Sequence, residues 1–366
     1  MLEFHLIPGV SVTAQELKTV SDTPLSALRK LVEKVMRVVD GERAYVYGGA
    51  LRNYVWKILG KKLPPHKVDT DVLITTSMAF DKIITAVSSI SEFSPPLIVS
   101  TDTLRVALGK DIHADFKFTP MVKFAMLDFT INAVVAPFEE IFGRGAPLYC
   151  VSLEDLDNKI LRHISPFNVY PFHLLRGIRL ASAYKLKFAP QTLQEYRKKA
   201  KFVKNVSPPL IHRELASAVQ EGYEYAVWAV AATNLILEIF PSLKNFARKK
   251  PEEYAKAVEE AHRIISAFNP DTGDEDVLKI APPKLLEKQF APGGRNLLYC
   301  YFLSSFLLPL NVNEKLLMEM HELNLYPAER GIIAMCITFA KGNAELKQVN
   351  PLARPFVLAV RKVKGS

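Results

Sequence analysis

The order of hydrophobic and polar positions along the chain predicts two parts of different construction. In the first 150 residues, apolar positions at helical spacing alternate with short runs rich in β-branched residues, which are typical of strands. We predict helices over residues 25–39, 50–59 and 78–91, and strands over residues 43–47, 68–75, 104–108, 112–118 and 129–135. This part is therefore predicted to be α+β, with a small mixed sheet covered by helices on one face.

From Leu153 onward the periodicity is almost entirely helical. We predict helices over residues 171–184, 192–202, 211–220, 223–238, 251–267, 296–307, 314–323 and 330–341. Proline and glycine interrupt the pattern between several of these segments. A domain boundary is expected near residue 150, where the periodicity changes.

Composition narrows the class of protein. The chain has 366 residues, with 47 Lys and Arg against 38 Asp and Glu, so its formal net charge of +9 permits a polyanionic partner. Hydrophobic residues make up 49%, which excludes an intrinsically disordered chain. Three distant cysteines, at positions 150, 300 and 336, exclude a disulfide scaffold and favour a reducing compartment, for which we expect the cytoplasm. The longest apolar runs, 225–240 and 297–310, are too short to predict a membrane span.

Asp69 and Asp71 are the first candidates for chemistry. Residues two positions apart on a strand point to the same face, so these two carboxylates are expected to converge. Carboxylate oxygens suit Mg²⁺, and paired carboxylates are typical of two-metal sites that act on phosphates. Taken alone, an Asp-x-Asp pattern is more often a solvated strand edge or a turn.

A pair of glycines, Gly48 and Gly49, lies between a predicted strand and a predicted helix. Glycines at such a corner let backbone N–H groups approach a phosphate, and the helix N-terminus adds a favourable partial charge. Arg52, in the first turn of the predicted helix, is placed to reach the same anion. The alternative for the glycine pair alone is an ordinary tight turn.

In combination, these motifs resemble the class II tRNA nucleotidyltransferase (CCA-adding enzyme) and bacterial poly(A) polymerase family. The segments that carry the resemblance are Gly48-Gly49-Ala50-Leu51-Arg52, Asp69-Thr70-Asp71 and Asp128-Phe129-Thr130-Ile131-Asn132-Ala133. Further matches follow in order at residues 154–162, 174–180 and 212–215, so the resemblance covers about residues 43–220. It implies a nucleotidyltransferase head like that of DNA polymerase β at residues 1–150, a helical neck at 151–222, and a helical body and tail at 223–366.

The resemblance also implies an activity and a set of site residues. Asp69, Asp71 and Asp115, the last on the polar face of a neighbouring predicted strand, would hold two Mg²⁺ ions. The implied nucleotide-binding residues are Gly48, Gly49, Arg52, Asp128, Asn132, His173, Arg176 and Arg179. An RNA 3′-hydroxyl would attack the α-phosphate of CTP or ATP, and catalysis of this kind consists mainly of positioning and charge neutralisation.

The sequence departs from the family pattern at several of these motifs. Asn53 stands where the family has Asp after the glycine corner, and Met126-Leu127 replaces a pair of arginines. The base-selecting motif Glu-Asp-x-x-Arg should fall just before the helix at 174–180, where this chain has Val169, Tyr170 and His173. A polar base edge left unpaired costs about 1–3 kcal/mol, so base discrimination is expected to be weakened.

Three functions follow from these observations. The first is Mg²⁺-dependent, template-independent addition of CTP and/or ATP to an RNA 3′ end, above all that of tRNA. The second is a catalytically degenerate RNA-binding protein on the same scaffold, and the third is a nucleotidyltransferase for small molecules. Three converging carboxylates without a metal repel one another, which favours an enzyme. Basic clusters at 197–204, 248–250 and 354–364 are predicted to contact RNA phosphates; the alternative is a set of solvated helix faces.

Overall fold

The structure, a computed structural model, describes residues 3–63, 68–90, 95–109, 112–122, 127–268, 273–280, 297–310, 312–342 and 345–365. Met126, one of the two departures from the family's arginine pair, lies outside these residues. The chain divides into two units, Met1–Ser165 and Pro166–Ser366.

The first unit is built on a mixed sheet with eight strands among the described residues. These are β1 (His5–Val12), β2 (Arg43–Tyr47), β3 (Asp71–Thr75), β4 (Leu97–Ser100), β5 (Thr103–Gly109), β6 (Ile112–Thr119), β7 (Val134–Pro137) and β8 (Ala146–Cys150). Their order is β1-β8-β7-β2-β3-β6-β5-β4. Strands β3 and β6 run parallel, whereas the other neighbouring pairs are antiparallel.

Helices of the first unit pack their apolar positions into its core. They are α1 (Ala14–Leu17), α2 (Leu25–Val38), α3 (Gly49–Ile58), α4 (Phe80–Ser88), α5 (Phe138–Ile141) and α6 (Leu153–Asp157), and a short strand β9 follows at Ile160–Leu161. In α2, Leu28, Leu31 and Val35 recur at helical spacing and are all fully buried. The prediction of an α+β fold is confirmed.

The predicted strand over residues 129–135 is wrong at its start. Residues Thr130–Asn132 form a 3₁₀ turn, and β7 begins only at Val134. The reason is local: the Asp128 carboxylate accepts from the Phe129 backbone N–H and from the Asn132 side-chain amide, which closes the chain into a turn. Sequence alternation alone did not reveal this closure.

The second unit is helical, as the periodicity predicts. Its helices are α7 (Phe172–Tyr184), α8 (Pro190–Lys199), α9 (Pro208–Ala232), α10 (Leu235–Ile239), α11 (Pro241–Lys249), α12 (Pro251–Ser266), α13 (Glu275–Ile280), α14 (Leu297–Leu307), α15 (Glu314–Glu322), α16 (Pro327–Lys341) and α17 (Arg354–Lys364). A short strand, β10, lies at Lys187–Phe188 between α7 and α8. Within the described helices, none combines the length and apolarity that crossing a bilayer requires.

Helices α7 and α9 pack together at Gly222. The sequence predicted two helices, 211–220 and 223–238, where the structure has α9 interrupted by the non-helical backbone of Gly222. A Cβ atom on Gly222 would lie 2.3 Å from the backbone oxygen of Ser182 in α7. Only glycine therefore allows this approach of the two backbones.

Candidate functional site

Strand register brings the predicted acids together. In the parallel pair of β3 and β6, Val72 is opposite Phe116, so Asp71 and Asp115 occupy adjacent places one step earlier. In the antiparallel pair of β5 and β6, Arg105 is opposite Asp115. Asp71, Asp115 and Arg105 therefore form a row across three strands, and each is half-buried while their strand neighbours are buried.

Arg105 and Asp115 form an ion pair with two contacts. The Arg105 Nε lies 2.7 Å from one carboxylate oxygen of Asp115, and its Nη2 donates to the other oxygen at 2.8 Å. The hydrogen bonds to Asp115, with the nearby charges of Asp69 and Asp71, raise the pKa of Arg105. Such two-pronged pairs are geometrically specific, so both oxygens of Asp115 are engaged.

Asp69 precedes β3 and belongs to the same group of charges. Partial burial of its carboxyl group raises the pKa of Asp69, and the negative charge of Asp115 raises it further, while Arg105 and His113 act in the opposite direction. The local positive charge is thus too small to balance the acids. We call Asp69, Asp71, Asp115 and Arg105 the charged cluster; an excess of negative charge of this kind is common at functional sites.

The charged cluster fits Mg²⁺ by its donor chemistry. Its carboxylate oxygens are the hard ligands that this ion prefers. Across the described part of the chain, no group of three or more His, Cys, Asp or Glu side chains is already arranged to hold a metal ion. In this arrangement Arg105 contacts both carboxylate oxygens of Asp115. Metal ligation by Asp69, Asp71 and Asp115 stays a prediction.

The glycine corner borders the charged cluster. Gly48 has φ +81° and ψ −136°, a conformation that favours glycine, and its N–H donates to the Val134 carbonyl at 3.0 Å. A Cβ atom on Gly48 would lie 3.6 Å from the Asp71 Oδ2. Helix α3 begins at Gly49, and no side chain caps this N-terminus. The N-terminus of α3 therefore has no side-chain cap and lies close to Asp71. Backbone N–H groups at such a helix N-terminus are what an anion site uses.

Arg52 lies beneath this corner. It is only 2% exposed. Its Nε and Nη2 donate to the Asn53 side-chain oxygen at 3.2 and 3.1 Å, and its Nη1 donates to the Asn132 oxygen. Asn132 in turn donates to Asp128 at 2.9 Å. We call these four residues the Arg52 network.

The Arg52 network bears on three predicted nucleotide contacts. It gives Asn53, a departure from the family pattern, a role in holding Arg52. It also shows Arg52, Asn132 and Asp128 fixing the chain around the glycine corner. Direct contact of any of the three with a nucleotide stays a prediction.

The remaining predicted site residues lie on α7 in the second unit. The Arg179 Nε donates to the buried carboxylate of Glu214 at 2.9 Å, which ties α7 to α9. The His173 ring stacks on Tyr170, with centroids 5.2 Å apart and planes inclined by 20°. Arg176 is half-buried on the same helix. Nucleotide contacts by His173, Arg176 and Arg179 stay predictions.

Arg105 is the residue of the charged cluster that the sequence analysis missed. It is the one charged residue in an otherwise uncharged strand, at a position of β5 that alternates with the buried Leu104 and Val106. That isolated charge was a signal, but it gained a partner only when the register between β5 and β6 was known.

Comparison with known proteins supports the resemblance found in the sequence. No family model matches the chain. The chain is similar to the multifunctional CCA protein of Nitrosococcus oceani, with 31% identity over 136 residues, which is 35% of this chain and 32% of that protein. The chain therefore spans about a third of the length of this curated relative.

Solved structures share the fold over almost the whole chain. A CCA-adding enzyme of Thermotoga maritima in complex with tRNA matches with a TM-score of 0.62 at 16% identity, over 98% of this chain and 83% of that one. CCA-adding enzymes in complex with ATP and with CTP match with TM-scores of 0.61 and 0.60, each at 17% identity over 100% of this chain and 84% and 87% of theirs. The chain has the fold of the CCA-adding enzymes, and the resemblance to this family is confirmed.

Proposed function

We propose that this protein is a Mg²⁺-dependent nucleotidyltransferase that adds CTP and/or ATP, without a template, to an RNA 3′ end, above all that of tRNA. The observation that carries the proposal is the charged cluster beside the glycine corner, with Asp71 3.6 Å from the position of a Gly48 Cβ. The solved relatives in complex with tRNA, ATP and CTP support the choice of substrates. Three buried, unpaired cysteines suit action in the cytoplasm.

Each part of the site has a role in this proposal. Asp69 and Asp71 would hold Mg²⁺, which would supply charge neutralisation at the triphosphate and activation of the attacking hydroxyl. The backbone N–H group at Gly49, where α3 begins, binds the triphosphate, while the N–H group of Gly48 donates to the Val134 carbonyl and fixes the corner. The Arg52 network holds this corner in the conformation that presents those groups.

Arg105 sets the condition under which Asp115 takes part. While Arg105 uses both oxygens of Asp115, this carboxylate acts on the site through its charge. Asp115 would become a third metal ligand either through the lone pairs that Arg105 leaves unused or after Arg105 gives up one of its two contacts. Arg105 also offsets part of the repulsion among the three acids.

Base choice is the least constrained part of the proposal. Asp128, Asn132, His173, Arg176 and Arg179 are proposed nucleotide contacts on the family pattern alone. Val169 and Tyr170 are 58% and 46% exposed, and neither side chain can form the paired hydrogen bonds of an Asp and an Arg. We therefore expect discrimination among the four nucleotides to be weaker than a template-like Asp and Arg pair would give.

A second function, RNA binding without turnover, is favoured by one observation. Both oxygens of Asp115 are engaged by Arg105, so three free carboxylates do not face one another in the charged cluster. A protein that had lost catalysis would gain from such a pair, since it removes a repulsion that has no further use.

Incorporation of labelled nucleotides separates the two functions. The protein is incubated with Mg²⁺, tRNA trimmed of its 3′ end, and each of CTP, ATP, GTP and UTP in turn. The proposal expects incorporation by the unaltered protein that is lost in Asp69→Ala. Asp102→Asn, which removes a carboxylate from the same sheet outside the charged cluster, should retain incorporation and serves as the matched control. Binding of the tRNA without incorporation of any nucleotide, with Mg²⁺ or Mn²⁺, would establish the binding protein instead.

A further inference from the structure

Trp228 is an exposed aromatic side chain that the proposed function does not use. The chain has two tryptophans: Trp56 is fully buried in the first unit, whereas Trp228 on α9 is 47% exposed. Exposing a large aromatic ring to water is unfavourable, so a partly exposed tryptophan in a polar setting is a common mark of a binding surface.

The ring of Trp228 rests on a rigid base. Tyr225 lies one turn earlier on α9, with ring centroids 5.5 Å apart, and Phe188 of β10 lies 6.3 Å from Trp228 on another side. The Tyr225 hydroxyl donates to the Leu186 carbonyl, which joins α9 to the segment that carries Phe188. Trp228 is thus presented by two elements that are bonded to each other.

Arg197 brings positive charge close to this ring. The Arg197 Nε donates to the carbonyl of Ala232 at 2.8 Å, and Ala232 lies one helical turn beyond Trp228 on α9. Residues 185–204 carry one acid, Glu195, against these basic residues: Lys185, Lys187, Arg197, Lys198, Lys199, Lys201 and Lys204.

An exposed indole ring close to positive charge favours RNA with unpaired bases as the partner. Phosphate backbones bind basic surfaces of this kind, and an exposed aromatic face adds stacking with an unpaired base. An acidic peptide would satisfy the charges but would leave the face of the indole without a flat partner. Paired RNA would also leave the face of the indole without a stacking partner, because bases within a duplex stack on each other.

We propose that Trp228, Tyr225, Phe188 and Arg197, the Trp228 surface, bind RNA by stacking an unpaired base on Trp228 while Arg197 contacts a neighbouring phosphate. The choice of RNA as partner rests on the proposed function. The surface lies wholly in the second unit, and so it gives affinity for RNA that does not depend on the residues proposed for catalysis.

Fluorescence anisotropy with two labelled probes tests the stacking. The probes are a single-stranded RNA of 12 nucleotides and a fully paired RNA duplex of 12 base pairs. Trp228→Ala should weaken binding of the single strand about 5- to 100-fold and change duplex binding much less, whereas Trp228→Phe should keep most of the affinity. Met318→Ala, which removes an exposed apolar side chain of α15 in the same unit, is the matched control and should bind as the unaltered protein does.

The salt dependence of binding tests the phosphate contact. Arg197→Gln should lower the slope of log affinity against log salt by about 0.7 on the single strand, while Trp228→Ala should leave this slope unchanged. Lys347→Gln, a charge removal at an exposed position of the same unit, should leave both slope and affinity unchanged. Binding of the single strand should also quench a fluorescence component that Trp228→Phe lacks, since Trp56 is buried.

The outcomes separate this inference from the proposed function. Equal affinity of Trp228→Ala and the unaltered protein for the single strand, with incorporation intact in both, would overturn the Trp228 surface alone. An equal loss of affinity for the single strand and the duplex in Trp228→Ala would overturn the proposed stacking. Weaker single-strand binding in Trp228→Ala, with no incorporation of any nucleotide by the unaltered protein, would support the Trp228 surface and overturn the proposed function.

Discussion

The Arg52 network and the charged cluster lie side by side in the first unit, and they differ in how completely their charged groups are balanced. In the Arg52 network, a guanidinium that is 2% exposed has three of its nitrogens bonded to neighbouring side chains. In the charged cluster, Arg105 pairs with Asp115, and the pKa of Asp69 is raised. Buried polar groups stabilise a fold when they are fully bonded. The charged cluster instead has an imbalance that a bound cation would correct.

Asp102 shows that burial alone does not produce this imbalance. It is half-buried near the same sheet, and burial by itself would raise its pKa. Lys117, with hydrogen bonds from Ser100 and Thr103, outweighs that effect and lowers the pKa of Asp102 below its ordinary value. What distinguishes Asp69 is therefore a shortage of positive partners.

The largest expected effect is on activity, in Asp71→Asn. This change keeps the shape of the side chain but removes a proposed metal ligand, so incorporation should fall at least about 100-fold. The midpoint of thermal unfolding, measured without divalent ions, should stay the same or rise, because repulsion within the charged cluster is reduced. Incorporation within a factor of about 3 of the unaltered protein would contradict the proposed role of Asp71.

Arg52→Met should have the opposite profile. The side-chain oxygens of Asn53 and Asn132 would lose a charged donor in a buried place, which should lower the free energy of unfolding by about 2–4 kcal/mol. The measurement is the urea midpoint, compared with incorporation at a temperature where the variant is folded. A midpoint that stays in place while incorporation is lost would remove the distinction between the two regions and make Arg52 a nucleotide contact.

Substitutions of Gly48 and Gly49 test the glycine corner, where the charged cluster and the Arg52 network meet. Gly48→Ala places a Cβ in a left-handed conformation and beside Asp71, so we expect a loss of about 1–3 kcal/mol in stability together with a loss of incorporation. Gly49→Ala is the matched control, since its Cβ would meet Val68 at an ordinary 3.5 Å. Equal unfolding midpoints in the two variants would show that the conformation of Gly48 is not needed.

The smallest effect concerns pH. A raised pKa in the folded state means that ionised Asp69 opposes folding at neutral pH and that this penalty disappears as the pH falls below its ordinary value. A lowered pKa means that ionised Asp102 stabilises at neutral pH and that this contribution is lost as the pH falls through its folded value. Without divalent ions, Asp69→Asn should therefore raise the unfolding temperature at pH 7, and Asp102→Asn should lower it.

The differences in unfolding temperature between the unaltered protein and the variants Asp69→Asn and Asp102→Asn should both shrink as the pH is lowered from 7 to 3. A series of thermal unfolding curves would measure this. Changes of the same sign in the two variants at pH 7 would contradict the contrast between the two carboxylates. Addition of Mg²⁺ should stabilise the unaltered protein and have less effect on Asp69→Asn, because a ligand that binds only the folded state stabilises it.

The sequence predicted those features that depend on one element at a time. The helical spacing of Leu28, Leu31 and Val35 is such a local pattern. The strand predicted over residues 68–75 was wrong at its start, because β3 begins at Asp71 and Asp69 lies before it. The row of Asp71, Asp115 and Arg105 joins β3 to two strands that lie more than 30 residues further along the chain, so it depends on register that no single strand encodes.

The burial of the Arg52 guanidinium is the second feature that the sequence alone did not predict. A charged residue in the first turn of a helix, such as Arg52, is ordinarily solvated. Its burial follows from Asn132, which is 80 positions away in the chain, and from Asn53 beside it. Strand β4 was also not predicted: its Leu97 and Ile98 are more than 60% exposed at the edge of the sheet, so the pattern of a half-buried strand is missing there.

The pairing of Arg105 with Asp115 has a consequence for how the protein matures. Many small metal-binding domains stay unfolded until their ion arrives, since their acidic or thiolate ligands have no other counter-charge. Here an arginine of the chain itself supplies a provisional cation. We therefore expect the newly made polypeptide to fold in the presence of a chelator and to acquire its ions afterwards, as a separate and reversible event.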